Sequence, residues 1–316
     1  MIFLTTNRHV CHAWLCEVTT MKQKKLNEPK LWEHILFLGP ATIVFLVVVL
    51  IPFAISIRYS FTNWNGISIR ADFVGLKNYI EIFSGKNTFL SSFRFTFIVA
   101  LCNVAIMNVF GIVMAALLTT KIPFRNAFRV VFYLPNVIGG LILGFVWQFI
   151  FINGIPALGT ALHIDALAVA WLGSETTATM AIIIVSVWQG MGYIMVIMIA
   201  ALTGVSNDLV EAAKIDGANA IQTFFKVKLP LCMPYITLCL FWTISQAFKM
   251  FDLNYSLTKG GPYGSTTSMA LNIYNDAFAN NKYGLATAES VVFFIIIMLI
   301  TSVQMYFSRK KEAELL

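Results

Sequence analysis

Asn207-Asp208-Leu209-Val210-Glu211-Ala212-Ala213-Lys214-Ile215-Asp216-Gly217-Ala218-Asn219-Ala220 runs on to Phe224-Phe225 and Leu229-Pro230, and this polar stretch lies between two long apolar runs. Leu209, Ala212, Ala213 and Asp216 recur at i, i+3, i+4 and i+7, which places them on one face of a helix. Asp208 followed three residues later by Glu211 reads as a capping box at the helix start. Gly217 supplies the left-handed residue that ends such a helix. A second short helix is predicted over 221–227, stopping at Pro230 because the residue before a proline is pushed out of the helical region. The result is a helix-turn-helix loop with Ile215, Ile221, Phe224 and Phe225 to bury and no core of its own. Exposed apolar groups in such a loop imply a partner protein.

The rest of the chain explains why that loop stands alone. Of 316 residues, 58% are apolar and only 12% charged, against about a quarter charged in soluble proteins. Six runs reach the roughly 20 apolar residues that span a bilayer core: 35–57, 95–120, 130–152, 178–203, 229–248 and 286–307. Only the last contains a formal charge, Glu289, which is expected to pair with a neighbouring subunit or to stay hydrated near the outer surface, and not to serve as a proton site. One six-helix membrane domain over 35–308 follows, with the loop at 204–228, an amino-terminal segment 1–34 and a tail 309–316.

The net charge of +7 would suit a nucleic-acid surface if it were clustered, but its distribution is a topology signal. Arg8, Lys22, Lys24, Lys25 and Lys30, then Lys121, Arg125 and Arg129, then Lys214, Lys226 and Lys228, then Arg309, Lys310 and Lys311 fall on one side, and together they are most of the 22 basic residues. The positive-inside rule puts both termini and the 204–228 loop in the cytoplasm. No nucleic-acid partner is expected.

Five cysteines give no disulfide framework, since Cys102, Cys232 and Cys239 sit in apolar runs as small hydrophobes. His9, Cys11, His12 and Cys16 do not match the spacing of zinc sites, so no metal is expected. Met21-Lys22-Gln23-Lys24-Lys25 looks like a more natural start, which makes residues 1–20 an upstream extension. The first run is too long for a signal peptide and lacks a small-residue cleavage site, so it reads as a retained anchor.

Inside the apolar runs, polar groups are costly and normally face a bundle interior or a wet cavity. Gln189 and Tyr193 lie four apart on one face, and Trp242, Thr243 and Gln246 form a second face at i, i+1 and i+4. Aromatic faces with amide and hydroxyl groups suit a sugar, whose C–H surface stacks while its hydroxyls hydrogen-bond. The bland alternative for each residue taken singly is an interhelical hydrogen bond. Gly111 with Ala115, and Gly140 with Gly144, have the small-residue spacing of closely packed helices. Residues 153–177 read as an outer loop with a short surface helix ending near Trp171-Leu172.

Glu211-Ala212-Ala213-Lys214-Ile215-Asp216-Gly217-Ala218, the Phe224-Phe225 pair and Leu229-Pro230 through Pro234 closely resemble the EAA loop of bacterial ABC importer permeases. Phe73-Val74-Gly75-Leu76-Lys77-Asn78-Tyr79 and the Gly260-Gly261-Pro262 region resemble the carbohydrate-type members, and the likeness covers nearly the whole chain from Met21. The resemblance implies the type I permease fold and a cell-membrane location. It implies that Glu211, Ala212, Ala213, Asp216, Gly217 and Ala218 dock into a cleft on an ATPase subunit. It implies a second permease, two ATPase subunits, an external solute-binding protein and a carbohydrate substrate. It also implies a translocation pocket lined from the helices flanking the loop, and so makes Gln189, Tyr193, Trp242, Thr243 and Gln246 candidates for the substrate pathway.

Absent motifs agree. No Gly-x-x-x-x-Gly-Lys-Ser/Thr phosphate loop occurs, nor His-Glu-x-x-His, nor Gly-x-Ser-x-Gly. The chain is therefore expected to be a non-catalytic subunit without a cofactor. An ion-coupled secondary transporter is the competing class. It predicts internal repeats and a coupling-ion site, and six spans without a buried charge pair argue against it.

Overall fold

The computed structural model describes residues 31–68, 70–85 and 87–315. His9, Cys11, His12, Cys16 and the proposed extension 1–20 lie outside the described residues. Among those described, the fold is all-helical apart from one isolated antiparallel bridge between Thr62 and Phe73. The chain divides into two units, Met1–Ile55 and Ser56–Leu316. The first contains α1 (Leu31–Phe45), a π-helical turn (Leu46–Leu50) and the start of α2 (Ile51–Tyr59).

The second unit holds α3 (Lys77–Phe83), α4 (Phe89–Leu118), α5 (Arg125–Val137), α6 (Gly140–Phe149) and α7 (Ile155–Leu162), then α8 (Glu175–Thr203), α9 (Asn207–Ile215), α10 (Ala220–Thr223) and α11 (Leu229–Leu231). It closes with α12 (Met233–Phe248), α13 (Asp252–Leu257), α14 (Met269–Tyr274) and α15 (Tyr283–Leu315). Five helical stretches are long and apolar enough to cross a bilayer, and the bent pair 220–231 and 233–248 makes a sixth. Five of the expected six spans are matched, and the sixth is matched where the bent pair is counted as one span; two differ in detail.

Prolines set those details. The residue before each of three prolines donates its N–H five residues back: Ile51 to Leu46, Ile155 to Ile150 and Leu229 to Phe224. Pro52, Pro156 and Pro230 cannot donate and would crowd the carbonyl four residues back, so each is accommodated by one wide π-turn. The second helix of the loop consequently does not stop at Pro230. It passes through the π-turn Phe224–Lys228 into α11, and the chain bends by 72° at Cys232 before α12.

The third span is shifted. The expected run over 130–152 is broken at Ile138 and Gly139, whose ψ values of 129° and 137° are extended. The crossing helix is instead Gly140–Leu162, with α5 as a separate amphipathic helix. Beyond Leu162 the chain forms turns, so no surface helix ends at Trp171-Leu172.

Packing centres on α4 against α8. Met107, Ala115, Leu118, Ile194, Met198 and Leu202 form one apolar cluster with Cys232 and Cys239 of the bent span. Gly111 is needed at the crossing, since a Cβ there would stand 2.6 Å from the Ile194 side chain. The Gly140–Gly144 pair receives α13 of the same chain, with Gly144 leaving room for Ser256. That spacing therefore serves an internal contact. Two hydrogen bonds between helices stitch the bundle: Ser186 Oγ donates to Asn103 Oδ1 at 2.9 Å, and the buried Asn108 Nδ2 to Thr243 Oγ1 at 3.1 Å.

Glu289 departs from its expected setting. It is fully buried and accepts from Asn87 Nδ2 at 3.3 Å and Asn272 Nδ2 at 3.1 Å. Asn272 Nδ2 also reaches Asp276 Oδ2 at 3.5 Å, so Glu289 sits in a buried polar cluster of its own chain and not at a hydrated surface.

Candidate functional site

Two regions carry the candidate residues. Within the loop 204–228, α9 is preceded by Ser206, whose Oγ accepts from Asp208 N at 3.2 Å. Ser206 is thus the cap, and the Asp208–Glu211 capping box does not form. The reciprocal box lies further on, where Asn219 Oδ1 accepts from Gln222 N at 2.8 Å and Gln222 Oε1 accepts from Asn219 N at 2.9 Å. The intervening turn is closed as expected by Gly217 at φ +84°. Ala218 N donates to Ala213 O at 2.9 Å and Gly217 N to Lys214 O at 3.0 Å, which is the Schellman pattern.

A rigid turn between two capped helices should expose a fixed surface, and it does. No residue of α9 is buried, so Glu211, Ala212, Ala213 and Asp216 remain accessible together with Gly217 and Ala218. Ile215 is 86% exposed and Ile221 71%. Phe224 packs against the α4–α8 core and holds Phe225 edge-on at 5.1 Å. Of the four apolar residues that needed cover, one finds it inside the chain.

All five pathway candidates line a single cavity of about 470 Å³. Tyr193 and Trp242 stack with centroids 4.2 Å apart. Gln189 Nε2 donates 3.1 Å to Ile138 O, the carbonyl at the break before α6. Thr243 is buried, donates 2.8 Å to Cys239 O and accepts from Asn108, so its hydroxyl is committed to holding helices together. Gln246 is exposed to the cavity. The bland and the functional readings thus divide by residue: Thr243 and the Gln189 amide are structural, while the two rings and Gln246 present free surface.

The sequence reading missed Asn103, Asn136, Ser186, Lys249 and Asp252, which also line the cavity. Asn136 sits at the end of α5, where Pro135 and the following break bring it beside Gln189, donating 3.4 Å to the Gln189 carbonyl. Asn103 was visible as a polar residue in an apolar run, but its partner Ser186 is 83 residues away. Trp188, next to Gln189, turns from the cavity and packs edge-on against Trp147 at 5.5 Å.

A bundle of crossing helices around a polar cavity, with a rigid exposed loop between two of its spans, defines a solute permease. Residues 107–312 match the family described as binding-protein-dependent transport system inner membrane component. The chain belongs to this family. It is 44% identical over 294 residues to the probable starch degradation products transport system permease protein AmyD of Thermoanaerobacterium thermosulfurigenes, covering 93% of this chain and 99% of that protein. It is 38% identical over 254 residues to the multiple sugar-binding transport system permease protein MsmF of Streptococcus mutans, covering 80% and 87%. The fold matches a chain of a bacterial ABC transporter involved in import of the acidic polysaccharide alginate, with a TM-score of 0.75 and 18% identity over 96% of this chain and 97% of that one.

The protein is therefore a multi-pass membrane permease of a binding-protein-dependent ABC importer, and it is a transport subunit and not a catalyst. The secondary-transporter alternative finds no support among these relatives.

Proposed function

We propose that the chain forms part of the pore of a sugar importer, receiving a neutral oligosaccharide from an external binding protein and passing it inward by alternating access. The observation that carries this reading is the convergence of Gln189, Tyr193, Trp242 and Gln246 on one cavity. Its rings offer stacking faces and the Gln246 amide offers hydrogen bonds, the combination that fixes orientation in an otherwise apolar pocket. The charged lining is one Lys249 and one Asp252, which favours an uncharged ligand. The sugar-related names of AmyD and MsmF support the same class.

A second permease completes the pore, and two ATPase subunits dock on the cytoplasmic face. Glu211, Ala212, Ala213, Asp216, Gly217 and Ala218 form the docking surface, with Ile215 and Ile221 entering the partner's cleft. Both termini are cytoplasmic in this arrangement. The pore domain is 35–308 with the coupling loop at 204–228, flanked by segment 1–34 and tail 309–316. Coupling is mechanical. The loop joins α8 to the bent span ending in α12, and the Tyr193–Trp242 stack ties those two arms at the cavity. Closure of the ATPases displaces the loop, which moves both walls of the cavity together.

Co-purification from solubilised membranes tests this reading, comparing the tagged wild-type chain with a Glu211→Ala/Gly217→Asp double variant. An ATPase subunit recovered with wild type and lost from the variant is the expected result. Absence of an ATPase from both, under conditions that preserve the complex, overturns it.

A further inference from the structure

Five aromatic rings form an unbroken series leading away from the cavity. Phe251 lines the cavity and meets Tyr274 at 5.2 Å. Tyr274 meets Phe278 at 5.0 Å, Phe278 meets Tyr283 at 5.5 Å, and Tyr283 meets Trp64 at 5.4 Å. The series lies at the end of the bundle remote from loop 204–228, because α12 starts near that loop and ends at Phe248. Its second and third rings are the most exposed, Tyr274 at 38% and Phe278 at 60%, and the other three are partly exposed.

The far end is held in place. Gly284 N donates 2.8 Å to Trp64 O, and Trp64 Nε1 donates 2.9 Å to Ser68 O. The Tyr283 ring lies where a side chain on Gly66 would stand. Asn78 Nδ2 donates 2.8 Å to both Ser60 O and Thr62 O, fixing the segment that leads into Trp64. Rings fixed before a ligand arrives lose little freedom on binding.

We infer that this aromatic series is a second saccharide-binding surface, a track on which the pyranose units of a longer chain stack as they pass between the external entrance and the cavity. The inference rests on the sugar-importer reading above. An aromatic belt at the membrane interface places Trp and Tyr at the ends of spans. It does not require that the rings touch in series, that the most exposed be a Phe, or that the line end in a polar cavity. The cavity is of a size that encloses a small ligand, so a long saccharide extends out of it, and the rings that continue from Phe251 are the surface it meets.

The test is uptake by the complete importer reconstituted in vesicles with saturating binding protein, using neutral saccharides from two to seven units, including maltodextrins, xylo-oligosaccharides and chito-oligosaccharides. Phe278→Leu keeps apolar bulk and removes the ring; Phe278→Tyr keeps the ring. Stacking of this kind predicts a loss of roughly three- to tenfold in maximal uptake of six- and seven-unit chains with Phe278→Leu. Two-unit uptake stays near wild type, and Phe278→Tyr restores the long chains. Equal behaviour of Phe278→Leu and wild type at every length overturns the track while leaving the importer reading intact. An equal loss at all lengths in both variants also overturns it, in favour of a packing role. Failure of the unaltered importer to take up any saccharide overturns both the track and the sugar reading.

Discussion

Tyr193 of α8 and Trp242 of α12 stack at 4.2 Å with 25° between their planes, joining the two arms that flank the exposed loop at the point where both face the cavity. Either ring alone would be an unremarked aromatic in an apolar run. In the proposed mechanism the pair serves as a mechanical link and a ligand platform at once. Trp242→Ala removes both, and stacking energies of about 0.5–1.5 kcal/mol predict a fall in uptake approaching tenfold. Trp242→Phe retains a stack with Tyr193 and is expected to keep much of the rate. Uptake in reconstituted vesicles, with ATPase co-purification as the control for assembly, checks it. Unchanged uptake with Trp242→Ala would remove the pair from the pathway.

Gly217 adopts φ +84°, and a Cβ built there meets nothing within 4 Å. An added side chain thus projects into the space where a partner would sit, at a left-handed conformation that Asp tolerates better than most residues. Gly217→Asp is expected to abolish transport and ATPase recovery while leaving membrane insertion and the amount of protein unchanged. Protease mapping of the membrane fraction and uptake assays separate the two effects. Normal uptake in this variant would sink the coupling role of the loop.

Gly144 of α6 faces Ser256 of α13 so closely that a Cβ at position 144 would stand 2.8 Å from the Ser256 Cβ. Gly144→Val should force α6 and α13 apart, an overpacking cost of about 1–3 kcal/mol, read as a lower melting temperature of the detergent-purified chain. Gly139, which has nothing within 4 Å of its Cβ position, should accept Ala with no such loss. A melting temperature unchanged in Gly144→Val would mean that the helices are free to separate there.

How much of this was legible follows from what each signal measures. Hydropathy counts apolar residues, so it found six spans and placed the first, second, fourth and last near their observed positions. It does not register backbone angles, so the amphipathic α5 and the true third span merged into one run across Ile138 and Gly139. The loop's Gly217 turn was readable because only a few residue types tolerate its conformation. The cap was misassigned because Asp208 and Ser206 are both good caps, and local spacing does not choose between them. Gln189, Tyr193, Trp242, Thr243 and Gln246 were found by their cost in an apolar setting. Which of them is committed to structure depended on Cys239, Asn108 and Ile138, contacts that no sequence spacing reveals.

Glu289 is buried against α14 and not at a hydrated surface. Its carboxylate is the acceptor for two amides, Asn87 and Asn272, from different parts of the chain, in a site without solvent access. Removing it with Glu289→Leu takes the acceptor from Asn87 Nδ2 and leaves Asn272 Nδ2 only the long 3.5 Å contact to Asp276, at about 1–3 kcal/mol for an unsatisfied donor, so a drop in thermal stability or in membrane yield is expected. Glu289→Gln keeps an acceptor oxygen for one of them and should lose clearly less. Thermal unfolding of the two purified variants orders them. If Leu is as stable as Glu, the amides have found other partners, and the carboxylate must then be retained for a reason other than holding α14 against α15.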